Sequence, residues 1–385
     1  MRPLLALTPS LVLALFGSAD TEDGRGVRPT PGAAPSSRLE DPFDAETLVP
    51  DRAAARAAIE RGLRFLAAQQ ASQGDGSIPS LGSNPARLAV TSLGALAYMA
   101  AGSTPDRGPH GAELARAIDH LLSHADLDTT SQQLGYLHDP ADRNSKMHAH
   151  GFAALALAEA YAMSPREGRG LRIAESLQAA LDLMARSQTQ EGGWYYDPVR
   201  GLEHEGSVTI ALVQAMRAAK NAGLRVDPEV IARAVDYVRR SQNEDGAFRY
   251  ALGSDEVSVA LTAAAISTLN ATGRYHGPEI RQGFDYIDRE LRLRAEAAAG
   301  ASKLLPREGQ AQFPCYERLY LAQAFWQSPD PSAFARWFAE EETRLLRAQA
   351  EDGSWDDPRF GPTYATAVNV LVLALPDQLL PIFQR

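Results

Sequence analysis

The segment Gln349-Ala-Glu-Asp-Gly-Ser-Trp355 has related copies elsewhere in the chain, and their spacing indicates the fold. The copies begin at Gln70, Gln188 and Gln242, and each contains an acidic residue, a glycine and a small residue, usually followed by an aromatic one. The four glutamines are 118, 54 and 107 residues apart. Halving the two long gaps gives a repeat of about 54 to 59 residues, so we predict six copies of one structural unit.

Two of the six copies are predicted to have lost this pattern, one near residue 129 and one near residue 296. The first position falls just after His124, where a helical segment ends in Ala-Asp-Leu-Asp-Thr-Thr. The second precedes a stretch that contains glycine and proline, residues 300–314.

Each unit contains two helical patterns. The segment before each loop has one apolar stripe, as an outer helix does; these segments are 51–69, 109–124, 167–187, 227–241, 278–293 and 331–348. The segment after each loop is apolar nearly all round, as a buried helix is; these segments are 85–101, 147–163, 206–222, 255–271, 315–327 and 363–375. No stretch alternates as a strand would, and six units with such apolar inner helices favour closure over an open solenoid. The fold is therefore predicted to be all-α, an (α/α)6 toroid with inner and outer helix rings.

The loop motif has a structural role in this arrangement. Its glycine allows the positive φ that ends an outer helix, and its acidic residue can bind loop amides. We predict that the glutamine amide bonds to loop backbone and that the aromatic residue lies between hairpins.

The N-terminus is predicted to be a targeting segment. Residues 1–19 contain Arg2, an apolar run and a small-residue end, the pattern of a signal peptide. Residues 20–48 are rich in Asp, Glu, Gly, Pro, Ser and Thr and are predicted to be a disordered linker. Residues 49–385 then form a single toroid domain of six repeats. The expected location is secreted or periplasmic.

Composition limits the function classes. The chain has 385 residues, 38 basic and 48 acidic, and a net charge of -10 argues against a nucleic-acid partner. One cysteine excludes a disulfide scaffold and any site built from several cysteines. Beyond the N-terminus no apolar stretch is long enough to cross a bilayer, so no membrane span is expected. The oligomeric state is left open.

The Gln-x-x-Asp-Gly-Ser-Trp pattern resembles the QW-type motif of the squalene and oxidosqualene cyclases. That superfamily also includes the β subunits of protein prenyltransferases, and the resemblance implies an (α/α)6 toroid with a central cavity inside the inner ring. In particular, the chain after the linker is similar to the bacterial proteins called prenyltransferase and squalene oxidase repeat proteins. The stretches that carry this likeness begin at Met147, Gly206, Tyr316 and Leu380.

The activity motifs of these families are largely missing. The cyclases protonate an alkene with an aspartate of a D-x-D-D run, which does not occur in the sequence. Asp126-Leu-Asp128-Thr is a partial likeness that we interpret as a turn. The Gly-Cys-Gly-Glu-Gln thioester motif of the related complement-type domains is also absent.

The zinc site of the prenyltransferases is incomplete as well. Cys315-Tyr316 matches the cysteine ligand of those enzymes and the tyrosine that follows it. Phe313 and Ala365 stand where the resemblance implies the aspartate and histidine ligands. One thiolate does not make a zinc site. Cys315 is therefore expected to be a small buried residue, and no metal or cofactor is predicted.

In a closed ring the starts of all inner helices meet at one mouth, where we place the candidate site. The candidate catalytic acids are Asp255, Glu256, Glu205 and Glu317, which would raise one another's pKa if they crowd together. The candidate ligand-binding residues are His148, His150, Trp194, Tyr196, Tyr316, Tyr320 and Tyr364. His148 and His150 point about 200° apart on a helix, so we expect one to face the cavity and the other to bond to backbone.

Three functions remain open from the sequence. The first is a non-catalytic toroid that binds a small hydrophobic molecule, a protein or a peptide in its central cavity. The second is an isoprenoid-processing enzyme, against which the 7% aromatic content argues, because aromatic faces steer carbocations. The third is a carbohydrate-active lyase or hydrolase, which needs paired carboxylates or a base near an arginine. A barrel filled by its own side chains would disfavour both enzyme functions.

Overall fold

Twelve α-helices in six hairpins form the structure, a computed structural model that describes residue 49 and residues 52–142, 146–300 and 311–384. The outer helices are α1 (Ala53–Ala71), α3 (Gly111–Ser123), α5 (Arg169–Ser187), α7 (Pro228–Arg240), α9 (Pro278–Gly300) and α11 (Pro331–Ala348). The inner helices are α2 (Arg87–Ala100), α4 (Lys146–Ala162), α6 (Gly206–Asn221), α8 (Val259–Ala271), α10 (Pro314–Trp326) and α12 (Gly361–Ala374). Within the described residues, strand-like pairing is limited to isolated bridges. The signal peptide and linker predicted for 1–19 and 20–48 lie outside the described residues.

The inner helices close into a ring. In chain order each packs against the next, from α2 through α4, α6, α8 and α10 to α12, and α12 packs back against α2. The outer helices cover this ring, and α1 also contacts α11 and α12. The predicted (α/α)6 toroid is confirmed. We call the space inside the ring the lumen, its upper end the one where inner helices begin, and its lower end the one where they finish.

Burial follows the two helical patterns in the sequence. In the inner helix α8 every residue from Val259 to Ala271 is buried. In the outer helix α7 only Val230, Ala234, Val235, Tyr237 and Val238 are buried, which is a single stripe. The inner ring is therefore held by apolar contact on all sides, and the outer ring by one face.

The loop glutamines join neighbouring hairpins. Each side-chain amide donates one hydrogen bond to the carbonyl of its own loop glycine and another to a carbonyl of the next outer helix. The acceptor pairs are Gly76 and Glu113 for Gln70, Gly192 and Val230 for Gln188, Gly246 and Glu279 for Gln242, and Gly353 and Ala58 for Gln349. The last pair ties the sixth hairpin to the first, so the motif itself closes the ring.

The loop glycines allow this close contact. Gly192 has φ 97° and Gly353 φ 90°, a region that other residues rarely adopt. A Cβ on Gly192 would lie 2.4 Å from the Arg233 carbonyl oxygen, and one on Gly353 would lie 2.5 Å from that of Arg61. Each carbonyl is three residues beyond the one that the glutamine of that loop binds.

The tryptophans of the motif join the outer and inner helices of their own hairpin. Trp355 also reaches the next hairpin, as predicted, since a Cβ on Gly62 of α1 would lie 3.1 Å from its ring. The Trp194 indole donates to the Met184 carbonyl at 2.8 Å, and its backbone amide donates to the Thr209 hydroxyl at 3.1 Å. Trp355 repeats both contacts, with Leu345 and Thr366.

An altered copy of the loop is present in the second hairpin, a few residues later than its predicted position. Gly135 has φ 90° and lies against the Ala179 carbonyl of α5, as the other loop glycines lie against their neighbours. The Leu137 amide donates to His150 Nδ1 at 3.1 Å, in the role that threonine has elsewhere. The Asp126–Thr130 stretch is a turn, with the Thr130 amide bound to Asp128 at 2.8 Å. The copy predicted near 296 falls within α9, and residues 301–310 are outside the described part of the chain.

Candidate functional site

Six equivalent positions of the inner helices form a ring at the upper end of the lumen. The residues that accept a loop amide are Thr91, His150, Thr209, Thr262 and Thr366, and they face outward to their loops. A residue two places earlier points about 200° away, towards the lumen. The corresponding residue of α10 is Tyr316. We call these six positions the mouth ring, and they are Ala89, His148, Ser207, Ala260, Tyr316 and Tyr364. All are partly accessible except Ala260, which is 8% exposed.

A hydrogen-bond chain connects three polar residues at the mouth. The Ser207 hydroxyl donates to the Glu205 carboxylate at 2.7 Å, and His148 Nε2 lies 2.9 Å from the same hydroxyl. With Glu205 ionised, the serine proton is directed to the carboxylate, and the assignment that completes the chain puts the proton of the neutral histidine on Nε2. Burial lowers the pKa of His148 to about 4, so its ring is neutral at pH 7.

Glu205 is fully buried and caps α6. Its carboxylate accepts the backbone amides of Ser207 and Val208, the usual contacts of an N-cap. Burial raises its pKa to about 7, and the hydrogen bonds from Ser207 and Val208 oppose that rise. All of these bonds lie within the wall of the ring, so the carboxylate does not face open lumen.

Two tyrosine hydroxyls in the upper lumen lack partners. Tyr316 approaches Ser207, and the Tyr320 hydroxyl approaches Tyr316. Neither hydroxyl has a hydrogen-bond partner of good geometry among the described residues. Burial is the largest cause that raises the pKa of Tyr316, Tyr320 and Tyr364, so all three are neutral donors. A buried, unpartnered hydroxyl is unfavourable and could be satisfied by a bound polar group.

The four candidate acids do not gather at the mouth, contrary to expectation. Glu317 is turned away to α9, where Arg294 binds its carboxylate at 2.6 Å. Asp255 and Glu256 are exposed in the loop before α8, which begins at Val259 rather than at 255. Burial raises the pKa of Glu205, and no neighbouring carboxylate contributes to that rise.

Two candidate ligand-binding residues lie away from the lumen. Trp194 is 1% exposed and bonds to α5 and α6 of its own hairpin. His150 accepts the Leu137 amide, and burial lowers its pKa to about 3, so it is a neutral structural residue. The expectation that one histidine faces the cavity and the other bonds to backbone agrees with this geometry.

Tyr196 lies at the rim of the mouth. Its ring centre is 6.2 Å from that of His148, and its hydroxyl bonds to the hydroxyl of Tyr250. The Tyr196 carbonyl also accepts the Met147 amide at 3.1 Å, which fixes this loop on the start of α4.

The lumen has a polar floor that the sequence reasoning missed. Gln214 donates to Gln323 at 2.7 Å and to Ser267 at 3.2 Å, and Ser267 donates to Gln323 at 2.9 Å. These bonds join α6 to α10 past α8, so they line one side of the lumen. Each floor residue follows a mouth-ring residue by seven positions, a spacing that keeps the same helix face and could have predicted it.

A buried aspartate at the rim was also missed. Asp142 accepts the amides of Arg87 and Leu88 at 2.8 and 3.3 Å and so caps α2 from the preceding loop. Burial raises the pKa of Asp142 to about 6. Asp139 lies beside it and binds Arg87 Nε at 2.7 Å, so Arg87 serves the wall of the mouth.

Cys315 is buried in the wall between inner helices. Burial raises the pKa of its thiol to about 12, and Arg318 Nη1 lies 3.6 Å from the sulfur. Among the described residues, no three His, Cys, Asp or Glu side chains are placed to hold a metal ion together.

A cavity lies outside the ring. It has a volume of about 400 Å³ and is bordered by α5, α6 and the loop before α7, with Leu181, Met216 and Arg225 in its lining. It therefore shares no residue with the mouth ring.

Comparison with known proteins supports the fold and no more. No family model and no curated protein matches the chain. Cellobiose 2-epimerase from Bacillus thermoamylovorans is similar with a TM-score of 0.58 and 12% identity, over 84% of this chain and 99% of that chain. The GH76 α-mannanase from Bacteroides thetaiotaomicron has a TM-score of 0.53 and 11% identity, over 86% and 97%. The type II terpene cyclase MstE from Scytonema has a TM-score of 0.52 and 17% identity, over 85% and 99%.

None of the described helices combines the length and apolar character that crossing a bilayer requires.

Proposed function

We propose that the upper lumen binds a small apolar molecule with one neutral polar group and releases it chemically unchanged. The observation that carries this proposal is the mouth ring, in which two small residues, Ala89 and Ala260, share the upper end with Tyr316, whose buried hydroxyl has no hydrogen-bond partner of good geometry among the described residues. The ligand's polar group would accept that hydroxyl, and its apolar part would contact Phe152 and Tyr364.

The polar floor limits the size of the ligand. From Tyr316 to Gln323 the helix rises seven residues, or about 10 Å at 1.5 Å per residue. A ligand held between these two levels is limited to about that length, which favours a short apolar chain over a long polyprenyl chain. The expected ligand class is therefore a small terpenoid or a medium-chain lipid alcohol.

The arrangement of His148, Ser207 and Glu205 argues against hydrolysis. In a catalytic triad the histidine accepts the serine proton and the carboxylate holds the histidine. Here the carboxylate accepts the serine proton and the histidine donates to the serine oxygen, so the serine is not activated.

The placement of the carboxylates argues against the carbohydrate-active and cyclase alternatives. Glycosidases use two carboxylates on either side of the scissile bond, whereas Glu205, Glu317 and Asp255 have three different environments. A cyclase needs an accessible strong acid, and the Glu205 carboxylate is occupied as a helix cap.

We also propose that the chain is one of the prenyltransferase and squalene oxidase repeat proteins. The repeated glutamine and glycine contacts support this assignment, since they give the QW-type motif one structural role in four of the six hairpins. The signal-like residues 1–19 support a secreted or periplasmic location, where such a ligand would be met.

The proposal is tested by extracting the purified full chain with organic solvent and identifying the released molecules by mass spectrometry. A molecule of the expected class should be recovered at about one per chain. Ala89→Phe, which fills the mouth ring, should lose it, whereas Ala57→Phe on the exposed face of α1 should keep it. Equal recovery from both variants contradicts the site, and recovery of a converted product after incubation with farnesol contradicts the non-catalytic function.

A further inference from the structure

The C-terminal segment Leu380–Phe383, which we call the plug, crosses the lower end of the lumen. The Ile382 amide donates to Glu159 Oε1 at 3.2 Å, and the Trp326 indole donates to the Phe383 carbonyl at 3.0 Å. Glu159 is on α4 and Trp326 is on α10, which lie on opposite sides of the ring. The plug also packs against α6, so it spans the opening between these helices.

The plug fits this end of the lumen closely. Leu380, Ile382 and Phe383 are 2%, 5% and 6% exposed. The cavity left beside them, against Leu371 and Leu375, has a volume of only about 10 Å³. Burial of three apolar side chains to this extent favours the bound position of the plug.

The ring recognises the plug's main chain as well as its side chains. Glu159 supplies an acceptor and Trp326 a donor, and both bond to peptide groups rather than to side chains. Pro381 begins the short 3₁₀ turn of the plug and fixes its φ, so the segment loses less entropy when it is ordered.

The lower end has more polar capacity than the plug uses. Glu159 is 1% exposed, and its Oε2 has no partner among the described residues. Gln327 lies four residues before the start of α11. Its Oε1 atom is also buried and has no hydrogen-bond partner among the described residues. These groups belong to the ring rather than to the plug, so the ring has a polar recess that another segment could use more fully.

We propose that the lower end of the lumen is a binding site for an apolar peptide segment that contains an aromatic residue, and that Leu380–Phe383 fills it as a removable plug. This inference is independent of the small-molecule function, because the plug and the groups that hold it include no residue of the mouth ring. The competing ligand is a peptide with the pattern Leu-Pro-Ile-Phe.

The tether decides which segment occupies the site. The plug is joined to α12 through Leu375–Leu379, a short connection that gives it an effective concentration on the order of millimolar. A free peptide of equal intrinsic affinity must therefore compete against that concentration, so below millimolar concentration it binds well only when the plug is weakened.

Fluorescence polarisation with a labelled peptide of residues 379–385 tests the proposal on the full chain. Phe383→Ala removes the ring that anchors the plug and should bind the peptide saturably. The wild-type chain should bind it at least about tenfold more weakly, because its own plug competes. A peptide with alanine in place of the phenylalanine is the matched control and should not bind.

Hydrogen exchange of residues 380–384 shows whether the plug has been released. Phe383→Ala and Ile382→Asp should both raise the exchange rate, with the helical content retained. In the wild-type chain, millimolar unlabelled peptide should also raise it. The proposal is overturned if the released variants fail to bind the peptide, or if the plug stays protected in both variants and in the presence of the peptide.

Discussion

The two ends of the lumen contain the same residue type in opposite circumstances. Glu205 at the upper end and Glu159 at the lower end are both buried glutamates of inner helices. Glu205 precedes its helix and receives the free amides of the first turn, together with the Ser207 hydroxyl. Glu159 lies late in α4, where the amides are already bonded within the helix, and it receives only the Ile382 amide.

This difference explains why one end is accessible and the other is sealed. At the upper end the wall satisfies its own carboxylate, so the mouth ring has no need of a covering segment. At the lower end the carboxylate depends on a peptide group from outside the ring. Position along the helix, rather than residue type, sets what each end can bind.

The largest expected effect on stability comes from replacing either of two buried tryptophans. Trp326→Ala removes the packing on Phe334 and the indole bond to the plug, and Trp194→Ala removes a similar side chain near the mouth. Each should lower the free energy of unfolding by about 3–5 kcal/mol, measured by urea denaturation. Only Trp326→Ala should release the plug, as measured by hydrogen exchange of residues 380–384. Equal release by both variants would mean that the plug responds to general loss of stability.

A pH profile of stability separates Glu159 from the rest of the protein. Burial raises its pKa to about 8, far above the value of 4.5 for an unburied glutamate. The unfolded chain loses this proton near pH 4.5 and the folded chain near pH 8. The free energy of unfolding therefore falls as pH rises between those values, and the loss stays constant above pH 8.

Glu159→Gln removes this penalty because the amide carries no proton to lose. The variant should gain on the wild type as pH rises from 4.5 to 8, by about 3 kcal/mol in the free energy of unfolding. Urea denaturation at pH 5 and pH 8 measures the difference. A difference that does not change with pH would show that Glu159 is ionised beneath the plug.

Glu205→Gln should cost stability at pH 5, because the glutamine NH₂ group would face one of the amide or hydroxyl donors that the Glu205 side chain accepts. The free energy of unfolding at pH 5 should fall by about 1–3 kcal/mol. The loss should shrink towards pH 8, because burial raises the pKa of Glu205 to about 7 and the wild-type folded state is penalised as that group ionises. Glu317→Gln, which removes an ion pair with Arg294 at the ring wall, is the control and should cost less than about 1 kcal/mol. A larger loss from Glu317→Gln would contradict the special role of the cap.

The smallest effect on stability should come from Tyr316→Phe. Its hydroxyl has no partner of good geometry among the described residues, so its loss should change the free energy of unfolding by less than about 0.5 kcal/mol. Farnesol affinity, measured by calorimetry, should nevertheless fall about fivefold. Tyr196→Phe at the rim should leave that affinity unchanged. An unchanged affinity in Tyr316→Phe would remove the hydroxyl from the site.

The sequence predicts the ring well because the fold depends on periodic patterns. The repeat of Gln70, Gln188, Gln242 and Gln349 sets the number of hairpins, and all-round apolar helices identify the inner ring. The same repeat locates the altered loop only approximately, since Gly135 and Leu137 retain the loop geometry although the other motif residues are replaced.

The site is harder to predict because one step along a helix turns a side chain by 100°. Glu317 follows Tyr316 directly, yet Tyr316 faces the lumen and Glu317 faces Arg294 of an outer helix. His150 points away from His148 for the same reason. The plug depends on how the C-terminal residues cross the ring, and no local pattern in Leu-Pro-Ile-Phe indicates that path.

A crystal structure of the full chain grown with farnesol tests the central claim about the two ends most directly. The account predicts the ligand above the Gln214–Gln323 floor, with its hydroxyl bonded to Tyr316 and Leu380–Phe383 still in place at the lower end. Farnesol in the lower lumen with the plug displaced, or a ligand bound only outside the ring, would contradict the account.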